Sequence, residues 1–190
     1  MLERRDIVSR ISQHCQDSLF ITGLGSSSYD LHAAGDSPRN FYLWGAMGGA
    51  AMTGLGLAMS QPDKHVIVLT GDGEQLMGMG ALATIGACKP DNLAILMLDN
   101  GQFGETGKQQ SHTSKGIDLS AVASACGIGT SMSVTDEAGL TTLLSALDSQ
   151  QESLFATIRI STESVERSLP ILDGVELKNR FRRELGLSPL

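Results

Sequence analysis

Apolar positions along the chain follow two rhythms that alternate from one end to the other. Over residues 3–15, Ile7, Val8, Ile11 and Cys15 fall on one helical face. Leu19-Phe20-Ile21-Thr22 then runs without a polar break to Gly23, the pattern of a short buried strand. The stretch from Gly23 to Asn40 reads as loop with one helical turn near Tyr29–Ala33, and Phe41-Tyr42-Leu43-Trp44 as a second strand. Residues 47–60 (MGGAAMTGLGLAMS) predict a helix of small apolar residues. Glycine costs a helix up to ~1 kcal/mol against alanine, so Gly49, Gly54 and Gly56 imply close approach by a neighbour. His65–Thr70 and Leu93–Leu98 are the strongest strands, separated by a helix over 75–88 that Pro90 stops. A polar loop of about 17 residues follows, against the ~4–6 common in compact domains. A helix over 118–126, a weak strand over 128–134, a helix over 136–148, the strand 154–160 and a basic-faced helix over 173–185 complete the series.

Continuous apolar strands alternating with helices predict an α/β fold. It is a doubly wound, mostly parallel sheet of about six strands with helices on both faces, and residues 1–190 form one domain. Composition narrows the class. With 41% apolar residues the chain can bury a real core, which excludes disorder. The formal charge of −7 argues against holding a nucleic-acid backbone by bulk charge. Cys15, Cys88 and Cys126 lie far apart with no C-x-x-C pair, which suits a reducing cytoplasm and gives no zinc spacing. The N-terminus lacks a signal-peptide apolar core, and no apolar run approaches the ~18 residues of a membrane span. The expectation is a cytoplasmic protein without a membrane segment.

Two predicted strands end in polar residues flanked by glycine: Gly71-Asp72-Gly73 and Asp99-Asn100-Gly101. In parallel sheets ligands bind beyond such strand ends. The backbone amides from Gly73 through Glu74 to Gln75, at the start of the next helix, are placed to meet an anion. The Asp72 carboxylate and the Asn100 amide, completed by phosphate oxygens and water, make a hard-oxygen set suited to Mg²⁺. A magnesium-bridged diphosphate is the guest these features describe.

The G-D-G and the L-D-N-G that ends the next strand together resemble the diphosphate-binding motif of thiamine diphosphate (ThDP)-dependent enzymes. By that resemblance Asp72, the Asn100 side chain and the Gln102 carbonyl bind Mg²⁺. Gly71, Gly73, Glu74, Gln75 and Phe103 would surround the diphosphate end of the cofactor. Asn40-Phe41-Tyr42-Leu43-Trp44-Gly45-Ala46-Met47-Gly48 is similar to the family's N-F-Y-x-x-G-S-M-G stretch. There Gly45 would contact the cofactor, and Met47, 25 positions before Asp72, would wedge its rings into a V. Nearly the whole chain resembles sulfopyruvate and phosphonopyruvate decarboxylases. It departs from them in the family's T-G-x-x-S-R-E-L segment, which has no Arg here (residues 22–31), and in Glu105-Thr106-Gly107-Lys108-Gln109. An Arg is the natural fork for a sulfonate or phosphonate.

The resemblance implies the diphosphate-binding (PP) subunit of a ThDP- and Mg²⁺-dependent 2-oxo acid decarboxylase. The glutamate that activates the cofactor lies in a pyrimidine-binding (PYR) domain, for which this chain has no room. A PYR-type partner subunit, a homo- or hetero-oligomer, and little activity in isolation are therefore expected. Glu105 and His112, in the long loop, are candidates for contact with the reacting centre; Glu105 could equally pair with Lys108, and His112 could be merely solvated. A carboligase, an oxidoreductase subunit, or a non-catalytic diphosphate-binding regulator are the alternatives.

Overall fold

The computed structural model describes residues 1–163 and 165–190. The elements run α1 (Arg4–His14), β1 (Leu19–Thr22), α2 (Ser26–Ala34), β2 (Asn40–Tyr42), α3 (Ala50–Ser60), β3 (Val66–Gly71), α4 (Asp72–Met77), α5 (Ala81–Cys88), β4 (Leu93–Asp99), β5 (Gln102–Phe103), β6 (Gln109–Gln110), α6 (Leu119–Ala125), β7 (Thr130–Val134), α7 (Glu137–Asp148), β8 (Leu154–Arg159) and α8 (Gly174–Glu184). Six strands form one sheet in the order β2-β1-β3-β4-β8-β7, every neighbour parallel. Parallel strands need long crossovers, and helices supply them. No helix among the described residues is long and apolar enough to cross a membrane.

The alternation of side chains divides each apolar run between two cores. In β3, Ile67 and Leu69 face one side while Val66 and Val68 face the other. Strand β4 follows the same rule: Ala94 and Leu96 join the first core, Ile95 and Met97 the second. Helices α1 and α7 cover the first face through Ile7, Ile11, Leu140 and Leu143; α3, α5 and α6 cover the second through Leu55, Leu82 and Ala123. Helix α8 lies along the β2 edge, with Leu177 in one core and Phe181 in the other, and Arg180 donates to the Asn40 carbonyl. An open parallel edge is thereby covered.

Four details depart from the sequence-based expectations. The predicted loop over 23–40 contains a nine-residue helix, α2, because Tyr29, Asp30 and Leu31 are all buried and Asp30 is ion-paired to Arg4 and Arg5. The strand expected at 41–44 is Asn40–Tyr42, and α3 starts at Ala50 rather than 47. The helix expected over 75–88 is two helices, broken at Gly78–Gly80. There the backbone of Gly78 packs on that of Gly48: a Cβ on Gly78 would sit 2.1 Å from the Gly48 carbonyl oxygen. The long loop holds the β5–β6 hairpin and two short 3-10 turns. Of the helical glycines, Gly54 meets the predicted close approach, since a Cβ there would lie 2.3 Å from Val68 Cγ2. Gly56 faces open space, and Gly49 is the residue that caps α3.

Candidate functional site

Chain direction across the sheet reverses between β1 and β3: β2 is added on one side of β1, and β3, β4 and β8 on the other. Such a switch opens a crevice at the carboxyl ends of the strands. A cleft of about 450 Å³ lies there, walled by the segments that follow β1, β3, β4 and β8. The sequence-predicted residues Met47, Gly71, Asp72, Gly73, Glu74, Asn100, Gln102, Phe103, Glu105 and His112 all line it. Two others do not. Gly45 sits on the exposed segment before Met47, and the Gln75 side chain turns into the protein, leaving only its backbone near the start of α4.

Asp72 is 3% exposed. Its Oδ2 accepts a hydrogen bond from the Ser111 hydroxyl and lies 3.3 Å from the Thr113 hydroxyl, which is nearer Asp99, and the Gly73 amide also contributes. Burial pushes its carboxyl above the ordinary carboxylate range, and the nearby Asp99 charge adds to the rise; the hydroxyl and amide donors only partly oppose it. Asp99 lies across the same small network. Its Oδ1 accepts from Thr113 at 2.8 Å and from the Gly101 amide at 2.9 Å, while Arg159 Nη1 holds Oδ2 at 2.9 Å. The β4–β8 register places Arg159 directly opposite Asp99. One buried carboxylate thus has a cation, and the other has only neutral donors.

Asn100 forms a local turn in which its Oδ1 accepts the Gln102 amide at 2.9 Å. That bond fixes the carboxamide and leaves its oxygen a second lone pair. Met47 and Phe103 converge over Gly73: a Cβ on Gly73 would meet Phe103 Cδ1 at 2.8 Å and Met47 Cε at 3.9 Å. The turn carrying Met47 is tight, with Ala46 at φ 52° and the Gly49 amide on the Ala46 carbonyl. Met47 is 40% exposed and fills no core. His112 stacks edge-on against Phe103 with ring centroids 5.9 Å apart. Glu105 pairs with Arg167 at 3.5 Å. Glu74 is buried, with Oε1 on the Ala50 amide and Oε2 without a hydrogen-bond partner among the described residues; burial raises its pKa.

Sequence reasoning missed Ser111, Thr113, Asp99 and Arg4. Ser111 and Thr113 reach Asp72 across 39 and 41 residues, and no local pattern reveals such a contact. Asp99 was readable only as the last residue of a strand.

The site suits a divalent cation carried by an anionic ligand. Asp72 is a buried carboxylate with no arginine on it, unlike Asp99, and it stands at the cleft wall beside the oxygens of Asn100 and Gln102. No group of three His, Cys, Asp or Glu among the described residues could cage a metal unaided, so any divalent ion held here would draw its remaining oxygens from ligand and water.

A doubly wound sheet with a G-D-G turn at its switch-point cleft defines a class, and the chain belongs to it: residues 23–158 match the thiamine pyrophosphate enzyme C-terminal TPP-binding domain. Among its relatives is the sulfopyruvate decarboxylase subunit beta of Methanothermobacter thermautotrophicus. That protein is 38% identical over 97% of this chain and 96% of its own length. The sulfopyruvate decarboxylase of Methanosarcina acetivorans is 32% identical over 97% of this chain, which spans 47% of that protein. Among solved structures, the benzoylformate decarboxylase of Polynucleobacter necessarius superposes with a TM-score of 0.72 at 17% identity, over 86% of this chain and 34% of its own. That likeness concerns the fold.

Proposed function

We propose that the chain is the PP-type subunit of a cytoplasmic, ThDP- and Mg²⁺-dependent decarboxylase of 2-oxo acids related to sulfopyruvate. It acts with a separate PYR-type subunit that supplies the cofactor-activating glutamate. The carrying observation is the cationless carboxylate of Asp72 at the wall of the switch-point cleft. The family match, the name "subunit beta" and the half-length match to a longer decarboxylase support the reading.

Asp72 and the Asn100 amide oxygen would hold Mg²⁺, with the Gln102 carbonyl as third protein ligand. The Gly73 and Glu74 amides, in the first turn of α4, would receive the diphosphate. Met47 and Phe103 supply apolar walls that orient the rings and exclude water. Bound there, ThDP supplies the electron sink that takes up the pair left when a 2-oxo acid loses CO₂. His112, exposed beside Phe103 on the cleft wall, would contact the substrate there. Met52, Gly56 and Met59 lie on one face of α3, at i, i+4 and i+7, and both methionines are exposed, as are Met77 and Met79. Met47 and Met77 line the cleft and are themselves exposed, and there the PYR partner would close the site.

Calorimetric titration of the purified chain with ThDP, with and without Mg²⁺ and with and without the PYR-type subunit, tests the reading. Binding that requires Mg²⁺ and tightens with the partner is expected. Binding indifferent to Mg²⁺ would overturn the metal assignment, and hydroxyketone rather than aldehyde product would make the enzyme a carboligase.

A further inference from the structure

The cleft wall contains three carboxylates, Asp72, Glu74 and Glu105, and a single Lys or Arg among the described residues, Arg4. Its position follows from the way the N-terminus is stitched to the sheet. Leu2 pairs with Ile160 just beyond β8, and the Ser161 amide donates to the Leu2 carbonyl. Helix α1 then begins at Arg4, at the carboxyl rim of the sheet beside Ser27 and Ile160.

The Arg4 side chain is only 11% exposed, and its shortest contact with Asp30 is an ion pair, Nε at 2.8 Å from Oδ2, in which neither atom has hydrogen-bond geometry among the described residues. Its two terminal nitrogens donate no hydrogen bond among the described residues. Asp30 is fully buried and shared: Arg5 Nε lies 3.3 Å from its other oxygen. Burial also holds the Asp30 carboxyl above its ordinary range despite both guanidiniums. Two cations over one carboxylate leave at least one positive charge in excess. Arg5 uses its Nη2 on the Glu166 carbonyl and does not line the cleft. A guanidinium set beside Asp30 with its terminal nitrogens unused in hydrogen bonds presents the fork that a multi-oxygen anion accepts.

We infer that Arg4 is the cleft's anion-binding residue, its free edge engaging an acidic group of the bound ligand while Asp30 fixes its orientation. This rests on the reading above that the cleft is a ThDP decarboxylase site. Two ligands present there can offer that group: the distal acid of the 2-oxo acid substrate and the diphosphate of the cofactor.

Variants Arg4→Gln and Arg5→Gln each remove one of Asp30's two cations, but only the first alters the cleft. Calorimetry with ThDP and Mg²⁺ on the chain reads the diphosphate. KM for sulfopyruvate against pyruvate, with the PYR-type subunit added, reads the distal acid. Arg4→Gln should weaken one of these by about tenfold or more while Arg5→Gln leaves both within about threefold. A rise in KM confined to sulfopyruvate assigns the substrate's distal acid; a loss of ThDP affinity assigns the diphosphate. Arg4→Lys should restore part of whichever is lost, keeping the charge without the fork. Equal effects of Arg4→Gln and Arg5→Gln, or no effect of Arg4→Gln in either arm, would overturn the inference. If Arg4→Gln unfolds, Arg4→Gln/Asp30→Asn removes the unpaired carboxylate and the same comparison is made. Wild-type chain that fails to bind ThDP with Mg²⁺ would instead sink the decarboxylase reading.

Discussion

Asp99 ends β4 and Asp72 directly follows the adjacent β3; both are buried and both lie near the Thr113 hydroxyl, yet their surroundings differ in charge. Asp99 is compensated within the fold by Arg159, delivered by the β4–β8 register, and by the Gly101 amide. Asp72 has hydroxyls and an amide and stays above the ordinary carboxylate range because of its burial. A buried carboxylate without a cation is costly to the folded state, and in the proposed function the cation arrives with the ligand. On the proposed function, Asp99 serves the fold and Asp72 serves a ligand. Changes at the two positions should therefore move cofactor affinity and stability in opposite patterns.

The largest effect is expected at Asp72. Asp72→Asn keeps the shape and removes the only charge among the proposed metal ligands. Affinity for ThDP in Mg²⁺ should fall roughly 100-fold or more, beyond what loss of an outer-shell partner costs. The ligand-free chain should become more stable by about 1 kcal/mol, or roughly 2–4 °C in Tm at this chain length. The sign of the pH dependence checks the cause. A carboxyl whose pKa is raised on folding destabilises the fold progressively as pH rises above its unfolded value of 3.8 through the raised folded value. The Tm advantage of Asp72→Asn should therefore widen from acid toward neutral pH and close toward pH 3.8. A variant less stable than wild type at neutral pH would break the comparison.

Ser111→Ala comes next. It removes a hydroxyl that orients the Asp72 carboxylate without touching the ligand itself. Loss of such an outer partner costs about tenfold in affinity, and the lost hydrogen bond about 1 kcal/mol of stability. Calorimetry and a thermal melt read both. Unchanged ThDP affinity would show that Asp72 is oriented by Thr113 and the Gly73 amide alone.

The same contrast explains which features were legible in the sequence. The apolar runs of β3 and β4 identify buried parallel strands because every residue faces one of two cores, and the G-D-G and D-N-G ends follow directly from where those runs stop. Helix α2 was invisible because Ser26-Ser27-Ser28 has weak helix propensity, while the buried Asp30 and its partners on α1 hold it in place. The break between α4 and α5 was hidden for a related reason: Gly78 and Gly80 fit a helix pattern, and only the backbone contact with Gly48 shows why the chain turns. In the loop from 101 to 116, Ser111 and Thr113 look like ordinary polar loop residues until the fold sets them against Asp72. Local patterns thus revealed most of the elements and the polar strand ends that line the cleft, whereas charge compensation, which couples distant segments, required the structure.

Arg159→Gln should have the smallest effect on cofactor binding. Asp99 then keeps Thr113 and the Gly101 amide but loses its cation while remaining fully buried. Breaking a wholly buried pair costs ~3–5 kcal/mol, but Arg159 is 42% exposed, and solvent screening reduces the expected loss to about 1–2 kcal/mol. A fall in Tm of roughly 2–6 °C follows. Asp72 and the amides that face the diphosphate are untouched, so ThDP affinity in Mg²⁺ should stay within about threefold of wild type, the range of an indirect electrostatic change. Loss of cofactor affinity comparable to that of Asp72→Asn would mean that the two carboxylates act as one site, with Arg159 part of it, and the division between a structural and a ligand-binding aspartate would fail.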